Sequence, residues 1–176
     1  MAKKNTFVAF LRAVNVGGTG KLPMSDLKAM CENLGFENVK TYIASGNVLF
    51  QTSLAEDRCK KKLEQRLMEY AGKELAVFIR TPHALKTLVE QNPFQHEAGN
   101  RTVAILIDQD LCQEDLHDIK HQVQEKIVLG ERTVYVFYGD GMADSKLVIP
   151  AAKQGTARNL NTMTKLCEMA IALENQ

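Results

Sequence analysis

The order of apolar segments over the first eighty residues is the feature that most constrains the fold of this chain. Two segments have apolar residues three and four positions apart, as in helices, and four are short apolar runs bounded by turn residues, as in strands. Pro23 and Gly35 delimit the first helix, and Ser53 and Glu56 have the spacing of a capping box for the second. The predicted strands are Thr6–Ala13, Val39–Ala44, Val48–Gln51 and Leu75–Arg80. This β-α-β-β-α-β order is the ferredoxin-like pattern.

The second half repeats much of this order. Asp110 is the predicted N-cap of a helix with apolar positions at Cys112, Leu116, Ile119 and Val123. The predicted strands are Thr102–Ile107, Lys126–Leu129, Arg132–Tyr138 and a short one at Lys146–Ile149. We therefore predict an α+β protein of two ferredoxin-like (βαββαβ-type) halves, a structural duplication with a modified second copy ending in a helix. The predicted domains are 1–81 as the first half, 82–100 as a connecting helix and loop, and 101–176 as the second half.

The predicted topology brings two distant segments together. In an antiparallel ferredoxin-like sheet, the loop after the first strand and the hairpin between the second and third strands lie at the same end. We therefore expect the loop Arg12–Lys21 to lie close to Ser45–Asn47. The strands at Phe7–Leu11 and Val103–Ile107 are apolar at every position, which predicts that both faces of each sheet are covered.

Composition limits the classes of function. A net charge of +1 argues against obligate binding to nucleic acid or to an anionic membrane. No apolar run approaches the ~18–20 residues of a membrane span, so we expect no membrane association through such a span. Cysteines at 31, 59, 112 and 167 are widely scattered, which indicates buried free thiols in a reducing compartment and a cytoplasmic location.

Three segments resemble the bacterial family grouped as domain of unknown function 1697. They are Leu11–Gly18, Thr41–Phe50 and Thr156–Thr162, with smaller matches at Asn92–Phe94 and Ser145–Leu147. The chain has Ala13 and Val14 where the family usually has Gly and Ile, and Leu160 where it usually has Trp. The resemblance implies two ferredoxin-like α+β halves, and it implies no activity.

The glycine-rich loop after the first strand is the first candidate site. Its candidate ligand-binding residues are Arg12, Asn15, Gly17, Gly18 and Lys21. The loop matches neither a Walker A motif nor G-x-G-x-x-G, but backbone amides in such a turn can bind an anion. The alternative is a plain connection that uses glycine for its backbone freedom.

Two further segments join this candidate site. Ser45-Gly46-Asn47 is more typical of a hairpin turn, and only the expected nearness of Ser45 and Asn47 to Arg12 and Asn15 makes them candidates. Arg158 and Asn159 are predicted at the start of the last helix, with Asn159 as the N-cap. They either bind an anionic group at the helix N-terminus or cap the helix and tie it to a neighbouring loop.

The sequence carries no motif for metal or for catalysis. His117 and His121 have i, i+4 spacing, but no third ligand accompanies them, and we predict no metal site. No nucleophile elbow or zinc-protease motif occurs, so whether the protein is an enzyme stays open, and so does its cofactor.

Three hypotheses of function follow, in order of preference. The first is binding of a small phosphate- or carboxylate-bearing molecule at the three candidate segments. The second is a structural or homodimerising interaction module whose polar motifs tie the halves together. The third is nucleic-acid binding on the first sheet, which would require exposed aromatic side chains among Tyr42, Phe50 and Phe78.

Overall fold

A computed structural model of the chain describes residues 3–15 and 21–176. The chain divides into two compact units, which are Met1–Ala84 together with Glu168–Gln176, and Leu85–Cys167. The division falls inside the predicted connecting segment. The final residues, which the sequence places with the second half, group with the first unit.

The first unit has the ferredoxin-like order of elements. Its antiparallel sheet has the strand order β2-β3-β1-β4, so that β1 is central and pairs with both β3 and β4. This is the strand order of the predicted fold. The elements are β1 (Asn5–Leu11), α1 (Met24–Asn33), β2 (Glu37–Thr41), β3 (Asn47–Thr52), α2 (Glu56–Ala71) and β4 (Val77–Arg80).

Both boundaries of α1 lie where the sequence predicts them. Pro23 is the N-cap of α1, and Gly35 and Gly72 adopt positive φ angles of 88° and 71° after α1 and α2. The predicted capping box is wrong. Ala55 is the N-cap of α2 and makes no side-chain cap, because the helix begins only at Glu56.

The core of the first unit lies between one face of its sheet and the two helices. Phe7, Ala9 and Leu11 of β1 belong to the same apolar cluster as Leu27 of α1 and Leu63 of α2. The ring of Phe50 on β3 stacks on that of Phe36, with 4.2 Å between the ring centroids. Alternate residues of β1 on the other face, Val8 and Phe10, are also fully buried, as the continuous apolar pattern predicts.

The second unit contains a sheet of the same order. Strands β6-β7-β5-β8 are antiparallel, and β5 is central. The remaining elements are α3 (Pro82–Glu90), β5 (Thr102–Leu106), β6 (Lys126–Gly130), β7 (Thr133–Phe137), β8 (Thr156–Asn159) and α4 (Leu160–Glu174).

The predicted helix between β5 and β6 does not form. Only a short 3-10 turn, Gln113–Leu116, occurs there, and the Asp115 carboxylate closes it by accepting a hydrogen bond from the backbone N–H of Cys112 at 2.8 Å. The side chain of Val123, a predicted apolar helix position, is 87% exposed. His121 has a φ of 59°, which an α-helix does not accommodate. The segment has too few buried apolar positions to hold a helix against the sheet.

A further prediction about this half is wrong. The segment Lys146–Ile149 forms no strand, and only Val148 pairs, in an isolated bridge with Lys120. Directly before the last helix, Thr156–Asn159 forms the edge strand β8 beside β5, a strand that the sequence pattern does not predict. The apolar residues Val103–Leu106 of β5 offer unpaired backbone groups on that side, and β8 satisfies them.

Three of the four thiols are buried, and Cys112 is exposed because the helix that would have buried it is absent. Within 3–15 and 21–176, no helix is long and apolar enough to cross a membrane.

The turn between β2 and β3 packs directly against the end of β1. The backbone N–H of Leu11 donates to the carbonyl of Gly46 at 2.8 Å. Gly46 has a φ of 87°, and a Cβ there would stand 2.5 Å from Cγ2 of Val14 and 3.0 Å from Cβ of Leu11. This position therefore requires glycine for both its backbone angle and its lack of a side chain.

We expect Gly46→Ala to lower the free energy of unfolding by roughly 2–4 kcal/mol, because the left-handed angle and the overlap with Val14 both oppose a methyl group. Gly35→Ala is the matched control. Gly35 has a similar φ of 88° but no neighbouring atom within 4 Å of the added Cβ, so it should lose only about 1 kcal/mol. Urea denaturation of the two variants measures the difference, and equal losses would contradict the close approach.

Candidate functional site

Asn15 holds the backbone at the end of the first sheet with its side chain. Its Nδ2 donates to the carbonyls of Leu22 at 2.9 Å and Ala44 at 2.7 Å, and its Oδ1 accepts from the N–H of Leu22 at 2.7 Å. The side-chain amide of Asn15, which follows β1, is thus bonded both to Leu22, just before α1, and to Ala44 in the β2–β3 turn. The predicted proximity of Arg12–Lys21 and Ser45–Asn47 is present at the residues of the loop that the structure describes.

Asn47 holds the β2–β3 turn from inside. It is fully buried, and its Nδ2 donates to the carbonyl of Tyr42 at 3.0 Å and to Oγ of Ser45 at 2.9 Å. The backbone N–H of Tyr42 in turn donates to the carbonyl of Asn47 at 3.1 Å. The structure therefore assigns Asn47 to the turn itself, as the hairpin alternative anticipates.

Left-handed backbone angles are concentrated at this end of the sheet. Ala13 and Asn15 both have a φ of 57°, and Ile43 has a φ of 51°. Asn tolerates this conformation, Ala does so at a cost, and a β-branched residue is an outlier there. Nothing in the sequence predicts a left-handed conformation at Ile43, and the side chain of Ile43 is also half exposed.

Two basic side chains lie beside these turns. Arg12 follows β1 and is half-buried, with its N–H donating to the carbonyl of Ala76 at 3.0 Å, and Lys21 is exposed. The described segments 12–15, 21–22 and 41–47 contain these two cations and no carboxylate. Gly17 and Gly18, the remaining candidates of the loop, lie outside the described residues.

Arg158 lies on β8 of the second unit, directly before the N-cap of α4. It is 8% exposed, and its guanidinium donates to Oγ1 of Thr156 at 2.7 Å and to the carbonyl of Ala157 at 2.9 Å. Burial lowers the pKa of this guanidinium to about 10. Binding of an anion by Arg158 stays a prediction.

Asn159 is the N-cap of α4, as predicted. Its Oδ1 accepts a hydrogen bond from the N–H of Thr162 at 2.8 Å. This is the usual contact of a capping amide, so its side chain is engaged by the helix.

Sequence reasoning missed a counterpart of Arg158 in the first unit. Arg80 is 4% exposed at the end of β4 and donates to the carbonyl of Ile79, the residue before it, at 2.9 Å, just as Arg158 does to Ala157. Each arginine precedes a polar helix cap, Thr81 for α3 and Asn159 for α4. The signal was an arginine at the end of an apolar strand directly before a helix.

Metal-binding side chains do not cluster among the residues that the structure describes. In the described part of the chain, no three His, Cys, Asp or Glu side chains stand close enough to hold an ion. His117 and His121 are exposed and share no helix, so their spacing carries no geometric meaning.

The aromatic residues of the first sheet form no open platform. Phe50 and Phe78 are buried, and Tyr42 keeps part of its surface exposed. Stacking of bases needs accessible ring faces, so two of the three candidate contacts for nucleic acid are inaccessible.

Comparison with known proteins identifies a family and a shared fold. The family model described as "Protein of unknown function (DUF1697)" matches residues 4–135. The conserved bacterial protein SP0830 from Streptococcus pneumoniae has a similar structure, with a TM-score of 0.77 over 96% of this chain and 99% of that one. At 20% sequence identity, this similarity shows the fold. Comparison with curated proteins finds no match.

We expect Asn15→Asp to destabilise the protein by roughly 2–3 kcal/mol at pH 7, because a carboxylate would face the carbonyls of Leu22 and Ala44. Those oxygens disfavour the ionised form and so raise the folded-state pKa of the new carboxyl. The variant should therefore regain stability as the pH falls through that pKa.

Urea denaturation at pH 7 and pH 4.5 measures this effect. Asn175→Asp is the control, since Asn175 is exposed and its side chain makes no hydrogen bond to the described residues. An Asn15→Asp variant as stable as the control at both pH values would show that the amide does not hold the loop.

Proposed function

The chain belongs to the DUF1697 family of proteins of unknown function, so its activity must be inferred from its own geometry, and we propose that it binds a small anionic molecule. The anionic group is a phosphate or a carboxylate. The proposed site is the end of the first sheet, where Arg12–Asn15, Lys21 and the turn Tyr42–Asn47 meet.

The concentration of left-handed residues carries this proposal. Non-glycine residues in this conformation cost on the order of 1–3 kcal/mol each, and such strain is characteristic of ligand sites. Ala13 and Ile43 both adopt it within segments that Asn15 joins. A simple loop could use glycine or asparagine at these positions without that cost.

The charges of the site select an anion. Arg12 offers a planar guanidinium suited to two oxygens of a phosphate or carboxylate, and Lys21 offers a compact charge. Backbone N–H groups in left-handed turns can add further donors. The surrounding described segments carry no carboxylate, so their local charge is positive.

A second candidate function is supported by other contacts. The amides of Asn15, Asn47 and Asn159 all bond to protein groups, as expected for a structural or homodimerising interaction module. In that case the strained turns would serve to shape a protein surface, with half-exposed Ile43 at its centre.

Titration of the protein with inorganic phosphate, followed by amide chemical shifts, distinguishes these functions. We expect saturable shifts at residues 12–15 and 42–47 in the wild type. The variant Arg12→Gln/Lys21→Gln should bind phosphate at least roughly tenfold more weakly, because it lacks both charge-assisted hydrogen bonds.

The control is Lys28→Gln/Lys40→Gln, which removes the same charge from exposed lysines on α1 and β2 of the same unit. Equal weakening in both variants would indicate general electrostatics and refute the site. Absence of saturable shifts in the wild type, together with a concentration-dependent dimer in sedimentation, would favour the interaction module.

A further inference from the structure

The second unit has an open cleft where the predicted helix is absent. A cleft of about 460 Å³ opens between the segments 121–125 and 141–146. This volume suits a small molecule. The lining groups used below are His121, Val123, Glu125, Asp144, Ser145 and Lys146.

Backbone and side-chain contacts hold the two walls of the cleft. Lys120 and Val148 exchange two backbone hydrogen bonds of 2.9 Å, which join the walls at one point. His121, the next residue of one wall, has a positive φ of 59°. The amide of Gln124 lies so close to Gly141 that a Cβ there would overlap it.

Glu125 is the chemically unusual group in this cleft. Glu125 is only 6% exposed. One of its carboxylate oxygens accepts a hydrogen bond from the backbone N–H of Val123 at 3.2 Å. Among the described residues, the Glu125 side chain makes no other hydrogen bond or ion pair. Every fully buried side-chain oxygen of the described residues has a hydrogen-bond partner. The second carboxylate oxygen is therefore accessible, and the cleft that Glu125 lines is where it opens.

The charge of the cleft favours a cation. Two carboxylates, Glu125 and Asp144, stand against one ammonium, Lys146. A carboxylate withdrawn from water interacts more strongly with an opposite charge than an exposed one does. The pKa of Tyr138 is raised, mainly by burial and secondly by the negative charge of Glu125. The charge of Glu125 therefore acts on neighbouring groups of the unit.

A donor with several N–H groups fits this arrangement better than a metal ion. The described residues hold no cluster of three metal-binding side chains, so an ion would lack ligands at this point. An ammonium group needs only one strong acceptor and neighbouring polar oxygens, which Glu125, Asp144 and Ser145 provide. The exposed side chain of Val123 at the rim offers apolar surface to a methylene chain.

We propose that this cleft binds a small molecule carrying a primary ammonium group, which donates to the accessible carboxylate oxygen of Glu125. The site is independent of the anion site proposed above, since it uses residues of the second unit alone.

Titration with 1,4-diaminobutane, followed by amide chemical shifts of the whole chain, tests this proposal. The expected result is saturable shifts confined to residues 121–125 and 141–146. Glu125→Gln keeps the shape and the acceptor for Val123, but it removes the charge. We expect it to bind the diamine roughly tenfold to a hundredfold more weakly. The control is Glu131→Gln, which removes an exposed carboxylate in the β6–β7 turn and should bind as the wild type does.

The diacetylated diamine provides a test that needs no variant. It has the same chain without ammonium groups, and we expect no saturable shifts with it. The proposal is wrong if the diamine shifts are spread over acidic surface residues, if Glu125→Gln and Glu131→Gln bind equally, or if the diacetylated compound binds as well as the diamine. Should Glu125→Gln fail to fold, the comparison of the two compounds on the wild type decides.

Discussion

The close approach of two backbone segments at Gly46 organises the functional end of the first unit. The central strand β1 must end against the β2–β3 turn, and only a residue without a side chain allows Leu11 to donate to the carbonyl of Gly46. Once these segments touch, the chain after β1 has little room and turns through left-handed angles at Ala13 and Asn15. Asn15 then fixes that path by bonding to both neighbouring segments. The proposed anion site is the outer surface of this arrangement.

The two units share one strand order, although different helices and loops connect their strands. Both sheets place the first strand of the unit in the centre, because a central strand with two antiparallel neighbours satisfies its backbone groups on both sides. Both also end in an edge strand with a buried arginine directly before a helix cap. The equivalence of Arg80 and Arg158 favours a structural origin for this feature, since it recurs in units whose other polar residues differ.

Local patterns predicted the fold wherever packing agreed with them. Pro23 and Gly35 delimit α1 as expected, and the continuous apolar run of β1 is buried on both faces. The proximity of the loop and the hairpin followed from topology alone. Periodicity failed at Cys112–Val123, because spacing cannot reveal whether a sheet has room or need for a helix. The strand β8 is absent from the sequence prediction for a related reason, since a four-residue strand is specified by its partner β5 and carries little signal of its own.

The absent helix also explains why the two units would recognise opposite charges. In the first unit, the segment that connects β1 to β2 forms α1, whose apolar side chains join the core cluster of the sheet. In the second unit, the corresponding segment forms no α-helix, and the backbone of Lys120 ties it to Val148. Irregular chain leaves gaps that a helix would close, and a gap lined by polar groups can retain a carboxylate such as Glu125. The cleft is thus a direct consequence of the way in which the second copy departs from the first.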